Sequence, residues 1–427
     1  MVRQRRPSPT LRERETTVQR GVRVARERTE AERQIAGLLD TARRKLDLSA
    51  AFLSRIDEGT RTLQVVSADV PGLVDGYAGP REDGFCLAVL DGLLPRVMPD
   101  VRDVPDAVRR MPAGLPPIRG HVSVPVVLSD GTVYGTFCAF GLAGDPEVSP
   151  RDLALMEVLA EAAALVIEPQ VRREQLHAEI AGRLGPLMDR GGPDVVLQPI
   201  VDLASGTRTG AEALSRFPTE WARTPDVVFD EAHTIGEGDR LELLALAGAA
   251  ALLGQVSGYV SMNVSPQTLL TPACRELLAG LPLHRVVLEL SEHSPVHDYP
   301  ALLTALEPLR ADGLRLAIDD VGAGFSSLRH IVTTAPDVIK MDRSIVSGLD
   351  TDPVLARLAQ SLVAFAHSSG VCVIAEGVET EAERAVLTDL GVDGGQGWLF
   401  GRPGPADVLV DAGTALVPPA TRPVRAG

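Results

Sequence analysis

The spacing of apolar residues changes twice along this chain, and each change predicts a different kind of structure. Across residues 11–46, Val18, Val22, Ile35, Leu38, Leu39 and Leu46 stand among closely spaced charges, which predicts a helix weakened at Gly21. Residues 1–10, with Pro7 and Pro9, are expected to be disordered. Residues 47–168 read instead as short strands and turns. Residues 51–56 and 62–68 predict neighbouring strands across Asp57-Glu58-Gly59, and residues 121–128 and 132–140 a second pair across Ser129-Asp130-Gly131. A long Pro- and Gly-rich stretch, 71–120, separates the two pairs. Ser149-Pro150-Arg151-Asp152 has a cap, a first-turn proline and a first-turn acid, so a helix starts there and continues through Leu153, Met156, Leu159, Ala163 and Val166. Pro169 is expected to interrupt it, with helix resuming over 171–188 and ending at Gly191-Gly192-Pro193.

From Val195 the rhythm becomes strand, helix, strand. Residues 195–200, 258–264, 285–290, 315–318, 337–341 and 371–375 are short apolar runs of the kind that buried parallel strands require. Repeated β-α units over this length predict a single α/β barrel preceded by a small α+β sheet domain.

Polar residues sit where these strands end, which is where a β/α barrel carries its chemistry. Glu212, Asn263, Glu289, Asp319, Asp320, Lys340, Glu376 and Gln396 all occupy such positions. One acid at a strand end is most often a helix cap or a surface charge. Five on one mouth are different, because two carboxylates 4 Å apart repel by about 4 kcal/mol at an effective dielectric near 20. Lys340 supplies one positive charge, and two divalent cations would supply the rest. Oxygen donors with one amide select Mg²⁺ or Mn²⁺ over zinc, and a pair of such ions suits phosphoryl displacement.

Bulk properties narrow the picture. The 427 residues are 45% apolar, enough for two or three domains. The net charge of -15 argues against stable binding to nucleic acid or an anionic membrane, although the first thirty residues are locally basic. Cys86, Cys138, Cys274 and Cys372 are far apart in sequence with no Cys-x-x-Cys pair, which argues against a zinc knuckle or a disulfide framework. No signal peptide is visible, and residues 243–254 are too short to span a bilayer, so a soluble cytoplasmic protein is expected.

The ordered string over about 193–410 resembles the EAL family of bacterial cyclic di-GMP phosphodiesterases. It comprises Gln198-Pro199-Ile200, Glu212-Ala213-Leu214 with Arg216, Asn263-Val264-Ser265-Pro266 and Glu289-Leu290-Ser291-Glu292. It continues with Asp319-Asp320-Val321-Gly322-Ala323-Gly324-Phe325, Ile339-Lys340-Met341-Asp342, Ala375-Glu376-Gly377-Val378-Glu379 and Gln396-Gly397-Trp398. The resemblance implies a TIM-like barrel and hydrolysis of cyclic di-GMP to linear 5′-pGpG with two Mg²⁺ or Mn²⁺ ions. Glu212, Asn263, Glu289 and Asp319 would hold one ion, and Asp319 would bridge to a second held with Asp320 and Glu376. Lys340 would orient the attacking water. Gln396 would place nucleophile or substrate. Gln198, Leu214 and Arg216 would contact substrate, while Glu292 would anchor the loop after Ile318 and Glu379 would support the site from behind. A homodimer is implied. The family's loop usually reads Asp-Asp-Phe-Gly-Thr-Gly-Tyr; Val321, Ala323 and Phe325 depart from it, and Ser291 stands where Thr is usual. Activity is expected, with this loop as the place where turnover or its control would weaken. The alternative is a catalytically weak barrel acting as a cyclic di-GMP receptor or as a protein-interaction module.

Residues of about 30–168 are similar to GAF domains, through Gly84-Phe85-Cys86, the Asp100 region, the run Val124 to Gly131 and Tyr134 to Cys138. A small ligand, unknown from sequence, or none would bind there. Cys86 and Cys138 are expected to pack in the core rather than anchor a chromophore, and His121 to be hydrogen-bonded rather than to ligate haem. No Gly-Gly-Asp/Glu-Glu-Phe segment occurs, so synthesis of cyclic di-GMP is not implied. The resulting division is a basic arm over 1–30, a GAF-like sensory domain over 31–168, a helical linker over 169–192, the barrel over 193–412 and a disordered tail over 413–427.

Overall fold

The computed structural model describes residues 27–112, 115–291, 296–322 and 327–409. Glu292, Ala323 and Phe325 lie outside the described residues. The chain divides into two compact units at the Leu176–His177 boundary.

The first unit begins with helix α1, Glu30–Leu46. Thr29 caps it, and Glu32 reaches back to the Thr29 amide in a capping box. This cap corrects the expectation of one helix over 11–46, because the extended backbone at Thr29 separates α1 from whatever precedes it. The sheet comprises β1 (Ala50–Ile56), β2 (Thr60–Ala68), β3 (Ala78–Pro80), β4 (Val97–Met98), β5 (Gly120–Val127) and β6 (Val133–Gly141), with α2 (Cys86–Leu90) between β3 and β4. Its order is β3-β2-β1-β6-β5-β4, and every pairing is antiparallel. Both expected hairpins form. The pleat divides the apolar residues between two cores. Ala51 and Leu53 join Leu39, Phe137 and Met156 on one face, while Ala50 and Phe52 join Phe85, Cys86, Cys138 and Phe140 on the other.

Helix α3 runs unbroken over Pro150–Asp189, which corrects the interruption expected at Pro169. Proline removes one N–H and leaves the carbonyl four residues earlier unpaired. Here that residue, Leu165, is 75% exposed, so water can take the bond. Apolar anchors on both sides hold the helix: Met156, Ala163 and Ile167 in the first unit, and Ile180, Leu184, Leu187 and Met188 in the second.

The second unit is a closed eight-stranded barrel. Its strands are β7 (Asp194–Asp202), β8 (Arg208–Arg216), β9 (Tyr259–Asn263), β10 (Val286–Ser291), β11 (Arg315–Val321), β12 (Val338–Met341), β13 (Cys372–Ala375) and β14 (Gly394–Gln396). The expectation of uniformly parallel strands needs one correction: β7 is antiparallel to both β8 and β14. The turn Asp202 to Thr207 explains it, since a short turn without a crossover helix can join only antiparallel strands. A large apolar layer lies between the strands and the surrounding helices, and Ile200, Tyr259, Val287, Ala317, Val338 and Ile374 form a smaller cluster from alternate strand positions.

Candidate active site

Strand alternation puts Glu212, Leu214 and Arg216 on one face of β8, and Ser261 and Asn263 on one face of β9. Glu289 lies in β10, Lys340 in β12 and Gln396 at the end of β14, while Glu376 follows β13 directly. Asp319 and Asp320 are consecutive in β11, and in a regular strand they would face opposite sides. Asp320 has φ +58°, in the left-handed region that Asp tolerates better than most residues. The register of β11 against β12 shifts between Ile318 and Val321. With that irregularity both carboxylates reach one site, where Asp319, Asp320 and Glu376 bring oxygens within 4.8 Å of one another.

Lys340 is the centre of the cluster and is fully buried. Its Nζ lies 2.6 Å from Glu376 Oε1, 3.0 Å from Glu289 Oε2, 3.1 Å from Asp319 Oδ1 and 3.2 Å from Glu212 Oε2. Glu212 is also held by Gln396 Nε2 at 2.6 Å and Asn263 Nδ2 at 3.1 Å. Gln396 donates to Gln198 Oε1 at 3.0 Å, and Gln198 donates in turn to the Gly401 carbonyl at 3.2 Å. Ser261, which the sequence reading did not single out, donates to Glu289 at 2.5 Å. Its signal was available, since it precedes Asn263 by one strand period.

Five carboxylates against one ammonium leave a large negative excess, and the proton affinities respond. Burial, countered by Lys340 and reinforced by Asp319 and Glu212, pushes Glu376 up to about 8. Burial and the Glu212 charge push Glu289 well above the carboxylate range. Glu212 is also buried, but Lys340, Gln396 and Asn263 outweigh that cost and hold it low. Burial disfavours the Lys340 ammonium, yet the surrounding carboxylates hold it well above its ordinary value.

The donor set fits hard divalent cations. Glu212, Glu289 and Asp319 form one oxygen triad, and Asp319, Asp320 and Glu376 form a second that shares Asp319. Asp319 Oδ1 is buried and accepts no hydrogen bond, although Nζ of Lys340 stands 3.1 Å away; the contact is ionic without hydrogen-bond alignment. Gln396 Oε1 is likewise buried and unpartnered.

Beside the cluster, a cavity of about 1120 Å³ is lined in part by Leu214, Arg216, Asn263, Glu289 and Asp320. Arg216 Nη1 bonds to the Ser215 carbonyl at 2.9 Å. A smaller cavity of about 250 Å³ is bounded by Gln198, Glu212, Glu376, Glu379, Gln396 and Trp398. Glu379, on the wall of that smaller cavity, is paired with Arg343 at 2.8 Å. The loop that carries Glu376 and Glu379 is tied down by Glu383, which accepts from the amides of Gly348, Glu379 and Thr380. Neither Arg343 nor Glu383 was anticipated from sequence; Glu379 is brought to Arg343 and Gly348 to Glu383 by the fold, whereas the capping box of Thr380 and Glu383 is local. Val321 is buried in the barrel's apolar layer.

The EAL domain matches residues 183–403, just over half of the chain. This chain belongs to the EAL domain family. A GAF domain matches residues 34–168, so it is an EAL protein with an N-terminal GAF domain. Among curated relatives, the cyclic di-GMP phosphodiesterase RocR of Pseudomonas aeruginosa is 32% identical over 238 residues, covering 52% of this chain and 60% of RocR. An uncharacterized protein of Mycobacterium tuberculosis is 33% identical over 240 residues, covering 52% of this chain and 78% of its own length. This chain therefore spans less than two thirds of RocR. The manganese and cyclic di-GMP complex of Klebsiella pneumoniae BlrP1 is 33% identical, with a TM-score of 0.45, over 49% of this chain and 56% of that one.

Proposed function

We propose that the barrel hydrolyses cyclic di-GMP to linear 5′-pGpG. The observation that carries this reading is the pair of carboxylate triads sharing Asp319 around a buried lysine. The RocR relative, a cyclic di-GMP phosphodiesterase, supports the choice of substrate. Glu212, Asn263, Glu289 and Asp319 would hold one Mg²⁺ or Mn²⁺, and Asp319, Asp320 and Glu376 the other. When bound, the two ions lower the pKa of water and offset phosphate charge.

The chain's own residues do the rest. Arg216, on the wall of the large cavity, offers a cation to a substrate phosphate or guanine. Gln396 is fixed by Glu212 and Gln198, so its free Oε1 can accept a hydrogen bond from water or a hydroxyl. Lys340, held by its carboxylates, would orient the attacking water. Water adds to phosphorus, the bond to the 3′ oxygen breaks, and that oxygen takes up a proton. Glu379 would hold the supporting loop, and Glu292 the loop after Ile318. The same reading includes a homodimer working in the cytoplasm and control of the barrel by the GAF domain, with or without a small ligand. No helix among the described residues is long and apolar enough to cross a membrane.

The test is turnover of cyclic di-GMP by the full chain with Mg²⁺, with Mn²⁺ and with chelator, beside Glu212→Ala. Loss of a ligand should cost more than the about 10–100-fold that outer partners cost. The departures at Val321, Ala323 and Phe325 favour a second reading, a cyclic di-GMP receptor. Tight binding by calorimetry without metal-dependent turnover would select it and reject hydrolysis.

A further inference from the structure

Packing of helix α2 against the sheet of the GAF domain brings together two cysteines that lie 52 residues apart in sequence. Cys86 opens helix α2, and Cys138 faces it from β6. Their sulfurs are 3.8 Å apart, and both side chains are buried. Beside them lies Arg61 of β2, 7% exposed, whose Nη1 is 3.7 Å from Cys86 Sγ. Cys86 is the sole side-chain partner found for that guanidinium among the described residues, and its Nε is buried without a partner. A buried cation needs a counter-charge. The group in contact that can supply one is the Cys86 thiolate. Cys138 has different surroundings, with Ser123 Oγ and Thr136 Oγ1 each at 3.1 Å and no cation in contact.

We propose that Cys86 and Cys138 are a peroxide-oxidisable dithiol, with Cys86 as the attacking sulfur and Cys138 as the resolving one. The Cys86 thiolate attacks a peroxide oxygen, so an S–O bond forms, the O–O bond breaks and hydroxide leaves to become water. The Cys138 sulfur then attacks the sulfenic acid, an S–S bond forms, and a second water leaves. In sum, two thiols and one hydrogen peroxide become one disulfide and two waters. The sulfurs must close from 3.8 Å to about 2.05 Å. The moving side is α2, a five-residue helix in a stretch otherwise poor in regular structure, and its local opening also admits peroxide. The direction of the proton affinities agrees. A hydrogen bond involving Cys138, opposed by burial and helped by the Arg61 charge, pulls Cys86 below the ordinary thiol value, while burial pushes Cys138 above it. This inference stands apart from the barrel's chemistry and survives if that reading fails.

The full chain, reduced and then freed of reductant, is exposed to a small excess of hydrogen peroxide, alkylated under denaturing conditions, digested and analysed by mass spectrometry. The expected result is an intrachain cross-link joining the Cys86 and Cys138 peptides, with a loss of about two mass units, reversed by dithiothreitol. Cys274 and Cys372 in the barrel serve as internal references. Alkylatable Cys86 and Cys138 after Cys372 has been oxidised would overturn the proposal, as would sulfinic acid at Cys86 without a cross-link. Arg61→Gln should slow the cross-link about tenfold at neutral pH, because the thiolate loses its counter-ion; an unchanged rate removes Arg61 from the account.

Discussion

Lys340 carries its charge fully buried, and four carboxylates are the reason it can. Removing one member of such a buried set leaves the others uncompensated, at a cost of about 3–5 kcal/mol. Lys340→Met should therefore lower stability by that order in chelator, measured by chemical denaturation. Mg²⁺ or Mn²⁺ should recover more stability in the variant than in the parent protein, since the cations take over the role of the ammonium. Equal recovery in both would show that the carboxylates do not form the cation site. A second residue makes a pH prediction. His121 is 1% exposed, stands edge-on to Phe85 with ring centroids 4.9 Å apart, and leaves Nδ1 unpartnered, contrary to the hydrogen-bonded histidine expected. Burial lowers it to about 3. Between that value and about 6.5 the unfolded chain binds a proton that the folded chain refuses, so stability falls as pH falls through this window. Near pH 5 the loss is about 2 kcal/mol. Comparing denaturation of the parent and His121→Gln between pH 7 and pH 5 isolates it: the variant's dependence should be shallower by that amount.

Among the elements, β11 is the one bent to a purpose. Its register shift and the left-handed Asp320 turn two consecutive carboxylates to one site. Asp320→Asn keeps a residue that tolerates φ +58° and removes only the charge. It should melt within a degree or two of the parent yet bind the second divalent ion more weakly by calorimetry. Asp320→Val puts a branched side chain into that backbone and should lose about 1–2 kcal/mol as well. If both variants melt alike, the backbone at Asp320 is not what selects the residue. Helix α3 teaches a different lesson. Proline's local penalty is real, but it falls on the exposed side of the helix, at Leu165, and buried anchors on both sides of Pro169 outweigh it.

At the scale of the molecule, the end of α3 belongs to the barrel unit. Ile180, Leu184, Leu187 and Met188 form a core with Val228, Ala232 and Leu241. A fragment beginning at His177 should fold and melt cooperatively. One beginning at Pro193 exposes the surface those four side chains cover, each worth about 1.5–3 kcal/mol, and should melt at least ten degrees lower or aggregate. Calorimetry of the two fragments decides it, and similar melting would place the helix outside the barrel's fold. The first fragment also permits a clean comparison of turnover with and without the GAF domain.

The sequence by itself determined the α/β barrel, the GAF-like sheet and most residues of the candidate site, but not Ser261 and not strands β8 and β14. Short apolar runs ending in Glu212, Glu289, Asp319, Lys340 or Glu376 already say which ends carry the chemistry, because strand ends in such a barrel share one mouth. The tertiary structure alone decided which of those groups touch, how Asp320 turns and that Cys86 meets Cys138. The contacts among the site groups and the meeting of Cys86 with Cys138 depend on partners far away in the chain, whereas the direction of β7 follows from the short turn after Asp202. Periodicity reports a residue's neighbours along its own strand or helix; sheet order and closure choose its neighbours across space.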